Sequence, residues 1–339
     1  IGVRLVGSEM CIRDIDTPAQ IKLVEEIFKN TNLCKVKVLA SLTKGLEGNS
    51  LSPMAELKQA GAKALTNCLN PIKDPLVLRR AMEYATGQNI TIFYQPQNNY
   101  LANNGCVHEG KISSKLGLPG IPSAAESVAV AEAILLSKLT NSRLHLCRVS
   151  CLESLMLIQS AQSEGLSVTS DVAIHQLFFD ENSIDNFNSD FHVMPPFRSN
   201  EDLVALHQAV NKETITAICS DHQPHNEDAK QAPFSDTQPG ISSIELLLPL
   251  IMELVELKII DMSEAIAKVT SNPSEILGID AGVIAKGLPA DLCIIKKEAW
   301  LFDEAKILSA GKNNPFLGRK FNYSVDKTIC DGKIVYEKK

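Results

Sequence analysis

The chain has 339 residues, of which 45% are hydrophobic and 22% are charged, and its formal net charge is −7. This length suffices for about two average domains or one large α/β barrel. The composition is typical of globular proteins and excludes the disordered, collagen-like and disulfide-scaffold classes. Nucleic-acid and anionic-membrane surfaces need clustered Lys and Arg, and the sequence has no basic run, so we expect neither as a partner.

The cysteines and the most apolar segment bear on the compartment. The nine cysteines are scattered, odd in number and without a Cys-x-x-Cys pair, which is typical of reduced thiols in the cytoplasm. Residues 244–257 are interrupted by Glu245, Pro249 and Glu253, so they fall short of the run of about 20 apolar residues that a membrane span requires. The sequence therefore predicts a cytoplasmic protein with no membrane partner.

Short β-branched runs alternate with amphipathic segments from residue 17 to about residue 275, a pattern typical of βα units around a parallel sheet. Six strands are predicted, at residues 35–40, 62–67, 89–95, 143–149, 166–172 and 214–221. Six units cannot close an eight-stranded barrel. Either two units that should precede residue 16 are missing, or the sheet is open.

One predicted helix carries a marked apolar stripe. It begins at Pro122, and Val128, Ala131, Leu135 and Leu139 follow one another at helical spacing. We expect this stripe to face the protein core.

The pattern changes after Gly278. Residues 282–295 and 328–336 are typical of short strands joined by glycine turns. We therefore divide the chain into residues 1–15, which are unassigned and expected to be non-native or a fragment start, an α/β part at 16–277, and a small β domain at 278–339 that returns to the barrel.

Ligands of parallel α/β sheets bind at the carboxyl ends of the strands. The richest such end is the segment Asp221-His222-Gln223-Pro224-His225. Carboxylate and imidazole groups are common zinc ligands, and either could also accept a proton. The residues alone leave open whether they bind a metal or only form a turn with packed histidines.

The same segment carries a family resemblance. Residues 218–250, with the motifs CSDHQPH, DAKQAPF and LLLPL, resemble the last barrel strand and following loop of dihydroorotases, the amidohydrolases that cyclise carbamoyl aspartate. The motifs LTKGLEG (42–48), LGLPGIP (116–122), GLPADL (287–292) and NPFLG (314–318) follow in family order. The resemblance covers residues 16–339. It implies a (β/α)8 TIM-type barrel lacking its first one or two βα units, with 16–277 supplying strands 3–8 and a small C-terminal β appendage.

The resemblance also implies where active relatives hold two zinc ions. Their ligands are a His-x-His pair on the first strand, a bridging Asp or carboxylated Lys, histidines at strands five and six, and an Asp at strand eight. This chain lacks the first strand, and Asn67, Gln95 and Arg148 occupy the next three positions. Asp221 remains as a vestigial catalytic residue. His225 and Arg198 correspond to substrate-loop residues of the family.

These replacements predict that no metal is bound. Amides are neutral, weak ligands, and a guanidinium has no lone pair and carries a fixed positive charge. Without a metal, no water reaches the pKa of about 7 that the family reaction needs. We expect Arg148 and Asp221 to form an ion pair in place of the metal.

The resemblance is closest to the non-catalytic homologues that partner aspartate carbamoyltransferase. It implies an inactive structural subunit of a hetero-oligomer in pyrimidine biosynthesis, with no cofactor. One alternative is an active dihydroorotase or related cyclic amidohydrolase in which Asp221, His222 and His225 bind zinc. Another is a regulatory module that binds a small molecule in the vestigial pocket.

Overall fold

The computed structural model describes residues 15–338. In chain order its strands are β1 (Leu39–Ser41), β2 (Ala64–Thr66), β3 (Thr91–Tyr94), β4 (Val107–His108), β5 (Gly120–Ile121), β6 (Leu144–Leu146), β7 (Val168–Ala173), β8 (Ala217–Cys219), β9 (Leu292–Leu301), β10 (Lys320–Cys330) and β11 (Lys333–Glu337). The helices are α1 (Pro18–Thr31), α2 (Met54–Gln59), α3 (Pro75–Gly87), α4 (Asn99–Ala102), α5 (Lys111–Leu116), α6 (Ala124–Thr140), α7 (Leu152–Ser163), α8 (Asn200–Val210), α9 (Leu247–Glu256), α10 (Met262–Ala267) and α11 (Ser271–Leu277).

Six parallel strands form the main sheet of the described residues, in the order β1-β2-β3-β6-β7-β8. Each of the six predicted strands overlaps one of them, so this part of the prediction is confirmed. Apolar residues such as Leu65, Ile92, Leu144 and Val172 are buried in one continuous core between the sheet and the helices. That burial explains why these strands are near-continuous apolar runs. Strands β1 and β8 end the sheet, which has two strands fewer than a closed eight-stranded barrel.

Ile15 is the first described residue, and it belongs to this core. It is 6% exposed, and its carbonyl accepts a hydrogen bond of 3.0 Å from the backbone N–H of Ser41 in β1. The remaining residues of the unassigned segment 1–15 lie outside the described range. Helix α1 follows directly, begun by a capping box between Thr17 and Gln20 and by Pro18 in its first turn.

The prediction for the apolar stripe of α6 is wrong. Val128, Leu135 and Leu139 are 45%, 66% and 63% exposed. The buried face of the helix consists largely of small residues, namely Ala125, Ala129, Val130, Ala133 and Ser137. Small side chains let the helix axis approach its neighbours closely, which leaves the larger apolar side chains on the outer surface.

The C-terminal strands form a separate antiparallel sheet in the order β11-β10-β9, as expected for the small β appendage. Asp331 and Gly332 join β10 to β11, and both have left-handed backbone angles (φ 48° and 76°), which suits a tight hairpin turn. Between β9 and β10 the chain returns to the main core, where Phe302 and Phe316 are buried. Within residues 15–338, no helix combines the length and apolar character needed to cross a bilayer.

Candidate functional site

The ends of the main strands surround a cavity of about 400 Å³. Each of the six strands contributes lining residues at or next to its end, among them Ser41, Thr66, Phe93, Cys147, Asp171 and Cys219. Cys68, Arg148 and Asp221, which follow β2, β6 and β8, also line it. All three have left-handed backbone angles (φ 48°, 54° and 44°), which for a residue other than glycine costs about 1–2 kcal/mol. Such strained conformations cluster at functional sites, so this cavity is the candidate site.

Arg148 and Asp221 form an ion pair across the cavity mouth, with Nη1 of Arg148 2.7 Å from Oδ1 of Asp221. Their side chains are only 9% and 6% exposed. Nη2 of Arg148 donates a hydrogen bond to Oε1 of Gln95, and Nε2 of Gln223 donates to Oδ1 of Asp221 at 2.9 Å. The predicted ion pair is therefore confirmed.

The side chain of Asn67 forms its hydrogen bonds away from the Arg148–Asp221 pair. Its Oδ1 accepts a 2.8 Å hydrogen bond from the Thr43 hydroxyl, and its Nδ2 donates to the Asn70 carbonyl at 2.7 Å. The Thr43 hydroxyl in turn accepts from the backbone N–H of Gly48 at 3.0 Å. Asn67 thus stabilises the LTKGLEG loop. The side chains of Gln95, Arg148 and Asp221, in contrast, contact one another at the cavity.

Hydrogen bonds hold the rings of the two histidines that follow β8. Nδ1 of His222 accepts from the backbone N–H groups of Ser243 and Ile244 at 3.0 and 3.1 Å, and its Nε2 lies 3.3 Å from the Ser309 hydroxyl. Nε2 of His225 lies 2.9 Å from the Pro239 carbonyl and donates to it. Burial lowers the pKa of His222, so its imidazole is neutral at pH 7. Both rings stabilise the loop that follows β8.

Arg198 lies in a second buried cluster away from the cavity lining. Its Nη2 is 3.6 Å from Oε2 of Glu126, and both side chains are 3% exposed. Nε of Arg198 donates to the Ser150 hydroxyl at 3.0 Å, and this hydroxyl donates to Glu126. Glu126 also accepts from the backbone N–H of Ser150 at 2.9 Å. The structure therefore places Arg198 in an enclosed network.

Sequence reasoning missed a cluster of side chains around Asp171, here called the Asp171 cluster. Nε2 of His145 is 2.8 Å from Oδ2 of Asp171, and the Cys219 thiol is 3.4 Å from Oδ1 of the same carboxylate. Burial would raise the pKa of Asp171, but the hydrogen bonds from His145 and from the backbone N–H of Arg148 bring it below its ordinary value. Burial raises the pKa of the Cys147 and Cys219 thiols. The two-residue spacing of His145 and Cys147 was the available signal, but it does not reveal partners on other strands.

The imidazole ring of His175 is also buried. Neither ring nitrogen has a hydrogen-bond partner within the described residues, and the ring packs edge-on against Phe197 with centroids 5.7 Å apart. Burial lowers its pKa to about 4. The ring is therefore neutral at pH 7.

The comparisons with known proteins agree with this geometry. Residues 79–335 match the model of the Amidohydrolase family. The chain belongs to the amidohydrolase family. It is 38% identical over 323 residues to a "Dihydroorotase-like protein" of Pseudomonas aeruginosa, covering 95% of this chain and 76% of the relative. It is 36% identical over 324 residues to a "Dihydroorotase" of Geotalea daltonii, again covering 95% of the chain and 76% of the relative.

A solved L-hydantoinase from Arthrobacter aurescens has the same fold, with a TM-score of 0.84 at 18% identity, covering 98% of this chain and 80% of the hydantoinase. The amidohydrolase barrel predicted from the sequence is therefore confirmed. Within the family, this chain is dihydroorotase-like.

The strand-end residues of this amidohydrolase do not fit the two zinc ions that the resemblance implies. Asp221 is bonded to the Arg148 guanidinium, and Gln95 and Asn67 offer neutral amide oxygens that already accept hydrogen bonds. The alternative trio of Asp221, His222 and His225 does not fit either, because Asp221 is bonded to Arg148, both ring nitrogens of His222 have hydrogen-bond partners, and Nε2 of His225 donates to the Pro239 carbonyl.

Proposed function

We propose that this chain is a catalytically inactive, dihydroorotase-like protein. One observation carries the proposal: the Arg148 guanidinium is bonded to Asp221 and Gln95 where active relatives would place metal ligands. A guanidinium stays protonated at every pH at which proteins are folded. It therefore repels a divalent cation and cannot coordinate one.

The same arrangement removes the proton acceptor that the family reaction needs. Both the Arg148 and Gln223 side chains donate hydrogen bonds to Oδ1 of Asp221. These donors occupy the lone pairs of the oxygen atom that would have to accept a proton. Neither an activated water nor a free general base is then available for attack on the ring amide.

We also propose that the protein acts in the cytoplasm as a structural partner of aspartate carbamoyltransferase in pyrimidine biosynthesis. The support is the resemblance to inactive subunits of that kind. A well-packed barrel whose reaction chemistry has been removed still offers a stable scaffold and a large surface.

Two measurements test these proposals. Carbamoyl-aspartate cyclisation with excess zinc should give no turnover, while an active dihydroorotase measured in parallel verifies the assay. Turnover that Asp221→Asn abolishes would establish the alternative, an active zinc enzyme. Mixed with the aspartate carbamoyltransferase of the same organism, the protein should co-elute in size-exclusion chromatography. Two separate peaks at micromolar concentration would refute the partnership.

A further inference from the structure

The Asp171 cluster contains four potential metal ligands. The ligand atoms of His145, Cys147 and Asp171 all lie within 4.8 Å of one another. The Cys219 thiol is 3.4 Å from the Asp171 carboxylate but lies outside this group of three, so it becomes the fourth ligand by rotating towards the other side chains. We propose that these four side chains bind one thiophilic divalent ion, such as zinc, inside the barrel, at a position distinct from the strand-end metal positions of the family.

The spacing suits a tetrahedral ion. Zinc lies about 2.0 Å from nitrogen and oxygen ligands and about 2.3 Å from sulfur, so neighbouring ligand atoms are about 3.3–3.8 Å apart. The separation of 3.4 Å between Cys219 and Asp171 is already in this range. Nε2 of His145 and Oδ2 of Asp171, now 2.8 Å apart, need to separate by roughly half an ångström. The ion would replace the proton that these two atoms share.

The surroundings would orient the ligands. The Thr169 hydroxyl lies 2.8 Å from Nδ1 of His145 and can accept a hydrogen bond from the protonated Nδ1, which leaves Nε2 free to bind a cation. The backbone N–H of Arg148 holds Asp171 through a hydrogen bond of 2.7 Å. Such outer contacts commonly fix the ligands of metal sites.

Charge and access also favour an ion here. Two thiolates, Asp171 and Asp221 supply four negative charges, and Arg148, which is paired with Asp221, together with a divalent ion supplies three positive charges, so the loaded site would keep one net negative charge to hold the ion. Cys147, Asp171 and Cys219 line the cavity, so an ion can reach them. Cys147 and Cys219 are both free thiols, so neither is committed to a disulfide.

Cobalt titration of the whole protein tests the site, because thiolate ligands give Co²⁺ an intense near-ultraviolet absorption. We expect about one equivalent of Co²⁺ with this band, displaced by Zn²⁺. Cys219→Ser and Cys147→Ser should lose the band. Cys106→Ser, which removes a buried thiol from a different cluster, should keep it. X-ray absorption of the zinc-loaded wild type should show sulfur at about 2.3 Å, and this result does not depend on whether a variant folds.

Two results would overturn the inference. Absence of bound Co²⁺, or a zinc shell of only nitrogen and oxygen, would refute the thiol site and leave the proposed function intact. Metal binding that survives Cys219→Ser but is lost in Asp221→Asn would place the ion at the strand ends. That outcome would refute both the thiol site and the proposal that the protein is catalytically inactive.

Discussion

The molecule contains two buried arginine–carboxylate pairs in different settings. Arg148 and Asp221 border the cavity, and their contacts are with other strand-end side chains. Arg198 and Glu126 are enclosed, and their contacts include the hydroxyl and backbone N–H of Ser150. The first pair joins the ends of two strands at the cavity, whereas the second connects segments of the fold. The comparison teaches that two buried pairs can differ in their surroundings: one contacts other side chains beside a cavity, while the other is tied to the backbone around it.

The difference has an energetic basis. A carboxylate left without its partner in an enclosed site cannot be solvated, and breaking a buried ion pair commonly costs several kcal/mol. Next to a cavity, water can take the place of the lost partner. The two pairs should therefore respond differently to the loss of one charge.

The largest effect is expected for Arg198→Met. It leaves Glu126 charged, 3% exposed and without a cation, so the free energy of unfolding should fall by about 3–5 kcal/mol. Urea denaturation measures this change. The double variant Arg198→Met/Glu126→Gln should recover part of the loss, because it removes the unpaired charge. A loss below about 1 kcal/mol in the single variant would show that the enclosed pair is not structural.

A pH effect of similar size should arise near the pair at the cavity. Burial lowers the pKa of His175 to about 4, against about 6.5 in an unfolded chain. Below pH 6.5 the imidazole binds a proton in the unfolded state, whereas in the folded state it stays neutral down to about pH 4. Stability should therefore be full above about pH 6.5 and decrease as the pH falls to 4, by about 3 kcal/mol for this ring.

The slope of stability against pH is measured by urea denaturation between pH 4 and 7. Burial also lowers the pKa of His192, to about 4, and those of His108 and His222, so these rings add to the same slope. The difference in slope between the wild type and His175→Gln isolates the contribution of His175. His207→Gln is the matched control, since His207 lies on helix α8 and is only partly buried. An unchanged slope in His175→Gln would mean that water reaches the ring.

A smaller loss is expected for Asp221→Asn. This variant removes the charge that faces Arg148, but the guanidinium keeps Gln95 and borders the cavity. We expect a loss of about 1.5–3 kcal/mol, typical of a hydrogen bond to a charged group. The comparison with Arg198→Met is the decisive one. If Asp221→Asn is the more damaging of the two, the cavity does not supply water to the ion pair.

Particular residues show what the sequence could and could not predict. The six parallel strands followed from β-branched runs, and the Arg148–Asp221 pair from the rule that parallel strands end at one edge. The partners of His145 and Arg198 could not be predicted, because the sequence pattern places neither Asp171 nor Glu126 at a strand end beside them. Helical spacing identified the apolar stripe of α6 correctly. It could not say which side the core takes, because that choice depends on how closely the alanine face can pack.

The exposed stripe of α6 gives the smallest predicted effect. Leu135 is 66% exposed, so Leu135→Ala should change the free energy of unfolding by no more than about 0.5 kcal/mol. Val130 on the buried face is fully covered, and Val130→Ala should cost about 1.5–3 kcal/mol. Urea denaturation of both variants shows which face of the helix is buried. If the stripe faced the core, Leu135→Ala would cause the larger loss of the two. A large loss for Leu135→Ala alone would mean that this side chain is covered in solution by contacts outside residues 15–338 of a single chain.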